Sequence, residues 1–239
     1  MTFLNWFRKG ISSEQNKLKT RKIFNWTLDE SKYLNLDKVK QLRAACQKAK
    51  ILAIRESKPT PVRDWFMVEL GLFSGLRVEE MTDLKVSDLH IKEEESSLTV
   101  RKGKGGKSRT IQIKGAFKHE CLFYLNWKKE QCQDISPEAC LLTGPKDNPL
   151  TTRALQKAFK RCLKKAGLDD HYSIHCLRHT YGSHLYKASQ YNLRLVQEQL
   201  GHSSIRTTQV YANLMDNDVK EAAENLYVRG DEKHLINLK

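Results

Sequence analysis

A small set of residues in this 239-residue chain has the types needed for chemistry on a phosphodiester. Gly75-Leu76-Arg77 supplies one arginine. His175-Cys176-Leu177-Arg178-His179, Leu200-Gly201-His202 and Tyr211 follow much later. A planar guanidinium offers paired hydrogen bonds to phosphate oxygens. Histidine can accept or donate a proton near neutral pH, and a tyrosine hydroxyl can form a covalent intermediate.

Each piece has a plainer reading. His175 and His179 stand i,i+4 on a predicted helix, a spacing that can hold zinc. The motif lacks the glutamate of HExxH, however, and Arg178 beside the pair would repel a cation, so no metal is expected. His175 and Arg178, at i,i+3, share a face that can meet a phosphate. His179 reads as a core histidine satisfying a hydrogen bond. An isolated helical tyrosine such as Tyr211 is more often core than nucleophile. Residues 101–109 hold five basic side chains (Arg101, Lys102, Lys104, Lys107 and Arg109) and three glycines. This is either a solvated basic loop or a flexible finger for a nucleic-acid groove. No GxxxxGK[ST] is present, which disfavours a nucleotide triphosphate.

Composition narrows the partner. With 42 Lys+Arg against 28 Asp+Glu the net charge is +14, and this points to a polyanion, with nucleic acid first. No apolar run reaches membrane-spanning length, and Met1 to Ile11 reads as an amphipathic docking helix, too polar for a signal peptide. The six cysteines show no CxxC pair and read as reduced cytosolic thiols.

The elements that must position these residues are mostly helical. Apolar spacing predicts helices over Leu36–Ile54 and Val62–Phe73, the second capped by Thr60 with Pro61 at its first position. Ser74-Gly75 stops it, and Arg77 opens a short helix. Two β-prone runs, Leu98–Arg101 and Thr110–Ile113, flank the glycine-rich segment as a hairpin, with Val86–Ile91 as a third strand. Helices follow over Ala116–Glu130, Thr151–Ala166, His175–Ala188, Leu193–Gln199, Ile205–Asn213 and Asn217–Tyr227. The fold class is α+β, mainly α, with one small antiparallel sheet.

Gly75-Leu76-Arg77-Val78-Glu79-Glu80, Gly103-Lys104-Gly105, His175-x-x-Arg178-His179-Thr180 and Leu200-Gly201-His202 with Tyr211 resemble, in order, the motifs of the tyrosine recombinase (phage integrase) family. The resemblance covers residues 36–214 as a catalytic domain, leaving 1–35 as an N-terminal extension and 215–239 as a C-terminal helix and tail. It implies site-specific DNA breaking and rejoining through a 3′-phosphotyrosyl intermediate, with no metal, ATP or other cofactor. Arg77, Lys104, His175, Arg178 and His202 would form the active site, Tyr211 would be the nucleophile, and Glu80 would support the site from behind. Arg77 and Arg178 would bind the phosphate and favour the phenolate of Tyr211. Lys104 would protonate the departing oxygen, His175 would take the tyrosine proton, and His202 would hydrogen-bond the phosphate. Arg101, Lys102, Lys107 and Arg109 would contact DNA. The implied partners are double-stranded DNA, further copies of the chain in a tetrameric synapse, and an accessory DNA-binding protein; the implied location is the cytoplasm. The short N-terminal extension implies weak or partner-dependent site binding, since it is too short for the helical domain that usually completes a clamp around DNA. The competing readings are a type IB topoisomerase and a non-catalytic DNA-binding protein of the same fold.

Overall fold

The computed structural model describes residues 31–91, 96–101, 108–113, 115–202 and 205–211. Helix α1 (Leu36–Arg55) opens at Asn35, whose side chain accepts the Lys38 N–H at 3.0 Å. Helix α2 (Pro59–Ser74) is buried nearly all round, including Val62, Trp65, Phe66, Met67, Val68 and Leu70, as apolar residues on nearly every side of it predict. It lies against α1 and three later helices. Phe66 stacks on Tyr124 at 3.9 Å, and full burial of a side chain of this size contributes about 1.5–3 kcal/mol. The expected Thr60 cap is corrected. Lys58 precedes the first turn without a side-chain bond, and both prolines fall inside the helix. The first-turn N–H groups have no intrahelical partner in any case, so proline is tolerated there.

Gly75 ends α2 in the left-handed conformation, φ 60°. The chain then turns through Arg77 into the short helix α3 (Val78–Asp83). The sheet comprises β1 (Leu89–Ile91), β2 (Ser96–Val100) and β3 (Arg109–Gln112), antiparallel in the order β1-β2-β3. Leu98 pairs with Leu89 on one side and Ile111 on the other, and its side chain is fully buried. The third strand is shorter than expected. Val86–Asp88 forms a 3-10 turn because the Asp88 carboxylate folds back to accept the Lys85 N–H at 2.9 Å.

Helices α4 (Gly115–Glu130), α5 (Thr152–Ala166), α6 (His175–Ala188) and α7 (Leu193–Leu200) follow, then the single turn α8 (Ile205–Thr208), which continues as 3-10 backbone to Tyr211. Most buried side chains form one core between α1 and α6. Tyr186, Val196, Leu200, Val210 and Tyr211 form a second, smaller one. The expected helices over Met1–Ile11 and Asn217–Tyr227 lie outside the described residues. Among the described residues no helix is long and apolar enough to cross a membrane.

Candidate active site

Arg77 enters the site at the N-cap of α3, with extended backbone. Three residues on, the Glu80 carboxylate reaches back to accept its N–H at 2.9 Å and its Nη1 at 2.8 Å. Arg109, at the start of β3, gives the same carboxylate a two-pronged bond, Nη1 to Oε1 and Nη2 to Oε2, both 2.8 Å. Glu80 therefore accepts four hydrogen bonds, the full capacity of a carboxylate. Burial alone would raise its pKa. The bonds from Arg109 and the Arg77 N–H, and the two positive charges, outweigh burial and hold it down at about 2. An acid saturated in this way serves as a fixed anion, not as a proton carrier.

Arg178 projects from the first turn of α6 and is 6% exposed. Its Nη1 donates to the Gly75 carbonyl and its Nη2 to the Leu200 carbonyl, each at 2.7 Å. These carbonyls stand at the C-terminal ends of α2 and α7, where the helix dipole favours a cation. The helix breaks at Gly75 and Gly201 thus serve to aim Arg178. Burial and then repulsion from Arg77 lower its pKa to about 10, so it stays charged at neutral pH. Gly75 also packs beneath Tyr181, whose Cδ1 stands 2.3 Å from where a Cβ would lie.

His202 follows Gly201, which caps α7 at φ 64°. Its Nδ1 is 2.9 Å from Oγ1 of the fully buried Thr208. Burial, then Arg178 and Arg77, depress its pKa to about 3, so the ring is neutral. Tyr211 is 1% exposed and belongs to the smaller core. Its ring lies nearly parallel to His202, centroids 6.5 Å apart, and covers Gly182, where a Cβ would come within 2.5 Å of its Cζ. The hydroxyl faces Nδ1 of His179 at 3.5 Å, too long for a strong hydrogen bond. Burial and then Arg178 hold His179 down at about 4.

The arginines act on Tyr211 in the expected direction but do not decide its charge state. Arg178 and Arg77 do pull the Tyr211 pKa down, but burial is the larger effect and pushes it up to about 12. The hydroxyl is protonated in this arrangement.

Arg77, Arg178, His202 and Tyr211 are brought together: both arginines act on the charge states of His202 and Tyr211, and Arg77 and Tyr211 act on that of Arg178. His175 is exposed at the start of α6. It acts on His179, and among the described residues no hydrogen bond joins it to Tyr211. Lys102, Lys104 and Lys107 lie outside the described residues. Arg101 is half-exposed but turned inward, with Nε 2.5 Å from Asp88 and Nη2 2.6 Å from Ser87. Arg109, expected to face DNA, is 10% exposed and bound to Glu80, because its strand aims it inward across α7. Sequence reasoning missed Thr208 and Gly182, for which no motif signal exists. It also missed a basic groove on α5 formed by Arg153, Lys157, Lys160, Arg161 and Lys164, which the i,i+3/i+4 spacing of those cations could have revealed.

One buried guanidinium and one partly open one, both tethered by protein groups, stand beside a neutral histidine and an enclosed tyrosine, an arrangement suited to a phosphoryl group. The chain belongs to the phage integrase family, which its residues 32–218 match. It is 34% identical to the tyrosine recombinase XerA of Pyrococcus furiosus over 216 residues, 90% of this chain and 68% of that protein. It is 32% identical to the XerC of Actinobacillus succinogenes over 188 residues, 78% of this chain and 61% of XerC. Among solved structures it resembles the XerH site-specific recombinase in its post-cleavage complex with palindromic difH, with a TM-score of 0.66, 28% identity, and coverage of 82% of this chain and 53% of XerH. The chain thus spans from about half to two thirds of these relatives.

Proposed function

We propose that the protein is a site-specific DNA recombinase that cuts and rejoins strands through a 3′-phosphotyrosyl bond. The observation that carries this reading is the convergence of Arg77, Arg178, His202 and Tyr211 on one place, with both arginines fixed from behind by protein groups. Among the described residues, the two helix-end carbonyls occupy two of the five N–H donors of Arg178, and the other donors suit the non-bridging oxygens of a phosphate. Neutral His202 adds a donor without a competing charge.

In the reaction, the Tyr211 oxygen forms a bond to phosphorus and the bond to the 5′-oxygen breaks. The arginines stabilise the charge gathering on the phosphoryl oxygens. The phenolic proton passes to a histidine. His179, held at about 4, is a weak base, so we keep His175 as acceptor. Lys104 retains its assignment as the acid that protonates the leaving 5′-oxygen. The phosphotyrosyl linkage conserves the bond, so a second 5′-hydroxyl reseals the strand by reversing the step. Exchange between sites needs copies of the chain to assemble on DNA, as a tetrameric synapse in our reading, with an accessory DNA-binding protein strengthening the grip. The α5 groove is a second phosphate-contacting surface, since clustered cations release counterions on binding DNA. The named relatives are recombinases, which disfavours the topoisomerase and non-catalytic readings. The protein would work where the DNA is, in the cytoplasm on the nucleoid.

Tyr211→Phe tests this directly. On a nicked suicide substrate the variant should bind DNA with unchanged affinity and form no covalent adduct. An adduct from the variant overturns the assignment of the nucleophile, and none from the parent overturns the reaction.

A further inference from the structure

We propose that Arg109 is a positioning residue, holding Arg77 and the Gly201-His202 turn in place, and not a DNA contact. The proposal rests on the reading that Arg77 and His202 meet the scissile phosphate. Arg109 begins β3, paired with Val100, and its side chain leaves the sheet to bridge two helices. Nη1 and Nη2 grip the two oxygens of Glu80 at 2.8 Å each, and Nε donates to the Gln199 carbonyl at 3.2 Å. The aliphatic stem lies along Gly201, with Cδ 2.6 Å from where a Cβ would sit.

Each contact constrains a residue of the site. Arg77 Nη1 shares Oε1 of Glu80 with Arg109, so a shift of the carboxylate moves the Arg77 side chain with it. The Gln199 carbonyl and Gly201 flank Leu200, whose own carbonyl binds Arg178, and Gly201 precedes His202. Arg109 therefore braces the turn from which His202 is presented and against which Arg178 is aimed. Exposure separates the two arginines on Glu80. The Arg77 side chain is 24% exposed, open enough to meet a ligand, whereas Arg109 is 10% exposed with all three of its nitrogens engaged. Three of its five N–H donors are engaged and the side chain is nearly covered, so little of Arg109 is open to a phosphate. Lysine cannot replace it, because one ammonium does not span two carboxylate oxygens and a carbonyl on a different helix.

The test uses Arg109→Lys and Arg109→Met in the full chain. The lysine variant keeps the charge and serves if the methionine variant fails to melt cooperatively. DNA affinity measured against salt should keep the parent's slope. A slope shallower by about 0.9, the signature of one lost phosphate contact, overturns the proposal. Single-turnover cleavage should fall about a hundredfold, as expected when catalytic groups are displaced by about 1 Å. With a methylphosphonate at the scissile position, where the non-bridging charge that Arg77 and His202 meet is gone, parent and variant should approach parity. A deficit that persists undiminished overturns the route through those residues. In the free protein, the His202 ring nitrogens should shift in the NMR spectrum of Arg109→Lys while those of exposed His171 stay put; an unmoved His202 also overturns the proposal. This last measurement needs no DNA, so it stands apart from the recombinase reading, which the parent's own cleavage checks.

Discussion

The anion-binding half of the site and its nucleophile half are held by different forces. Arg77, Arg109 and Arg178 are fixed by charge-assisted bonds to Glu80 and to helix-end carbonyls. These bonds are short and directional. Tyr211 is fixed by packing in the smaller core, over Gly182, with one long contact from its hydroxyl. The first half needs no rearrangement to receive a phosphate. The second holds its hydroxyl protonated and enclosed, so the proposed reaction would require the tyrosine to leave its seat. Directional bonds fix the charges, and packing fixes the tyrosine.

The largest break in this comparison comes at Glu80. Glu80→Ala leaves Arg109 buried without its counter-ion, a change that typically costs about 3–5 kcal/mol. Urea melts should show that loss at neutral pH, and a loss below about 1 kcal/mol, as for an exposed pair, would show that the clamp is held by something else. The pH dependence has a definite sign. The folded pKa of about 2 lies below the ordinary 4.5, so the contribution of Glu80 is complete above 4.5 and is lost as pH falls towards 2. The gap between parent and variant should close over that window.

A smaller break on the other side is Gly182→Ala. The added methyl occupies space taken by the Tyr211 ring, and overpacking of this kind costs about 1–3 kcal/mol. If packing alone seats the tyrosine, its hydroxyl should titrate lower than about 12 and react faster with tetranitromethane. Leu200 belongs to both, its side chain to this seat and its carbonyl to the clamp, but the added methyl meets the Tyr211 ring first, so DNA affinity should hold. An unchanged phenol titration would mean that the ring was never confined by this glycine.

The same division explains what was legible in the sequence. Helices α1 and α2 could be read from apolar spacing, and the hairpin from two β-prone runs around glycines. Arg77, Arg178, His202 and Tyr211 could be read from local motifs. The partner of Arg109 could not. Glu80 lies 29 residues away, and a basic residue beside a glycine-rich turn looks solvated until the strand's direction is known. The Val86–Asp88 turn was likewise hidden, because the folded-back Asp88 carboxylate competes with a strand of ordinary propensity. The net charge state of Tyr211 was hidden for a related reason. Arginines adjacent in a motif are visible, while the burial that outweighs them depends on the Tyr211 ring, beyond α8, covering Gly182 of α6.

Thr208 offers the finest discrimination between the halves, since it acts on a single proton. Among the described residues, its hydroxyl pairs with Nδ1 of His202 at 2.9 Å. If the hydroxyl donates, Nδ1 is the acceptor and the neutral ring carries its proton on Nε2, the tautomer that can donate to a phosphate oxygen. Thr208→Val keeps the shape and removes the donor, leaving a buried ring nitrogen unsatisfied at a cost of about 1–3 kcal/mol. Nitrogen chemical shifts of His202 should then show a mixture of tautomers, with Thr208→Ser restoring the single form. Cleavage should fall in the valine variant and recover in the serine variant, while Arg178, tied to carbonyls that the substitution does not touch, goes on binding DNA as before. A valine variant that keeps one Nε2–H tautomer would mean that the ring is oriented by the arginines instead, and the separation between the two halves would not extend to His202.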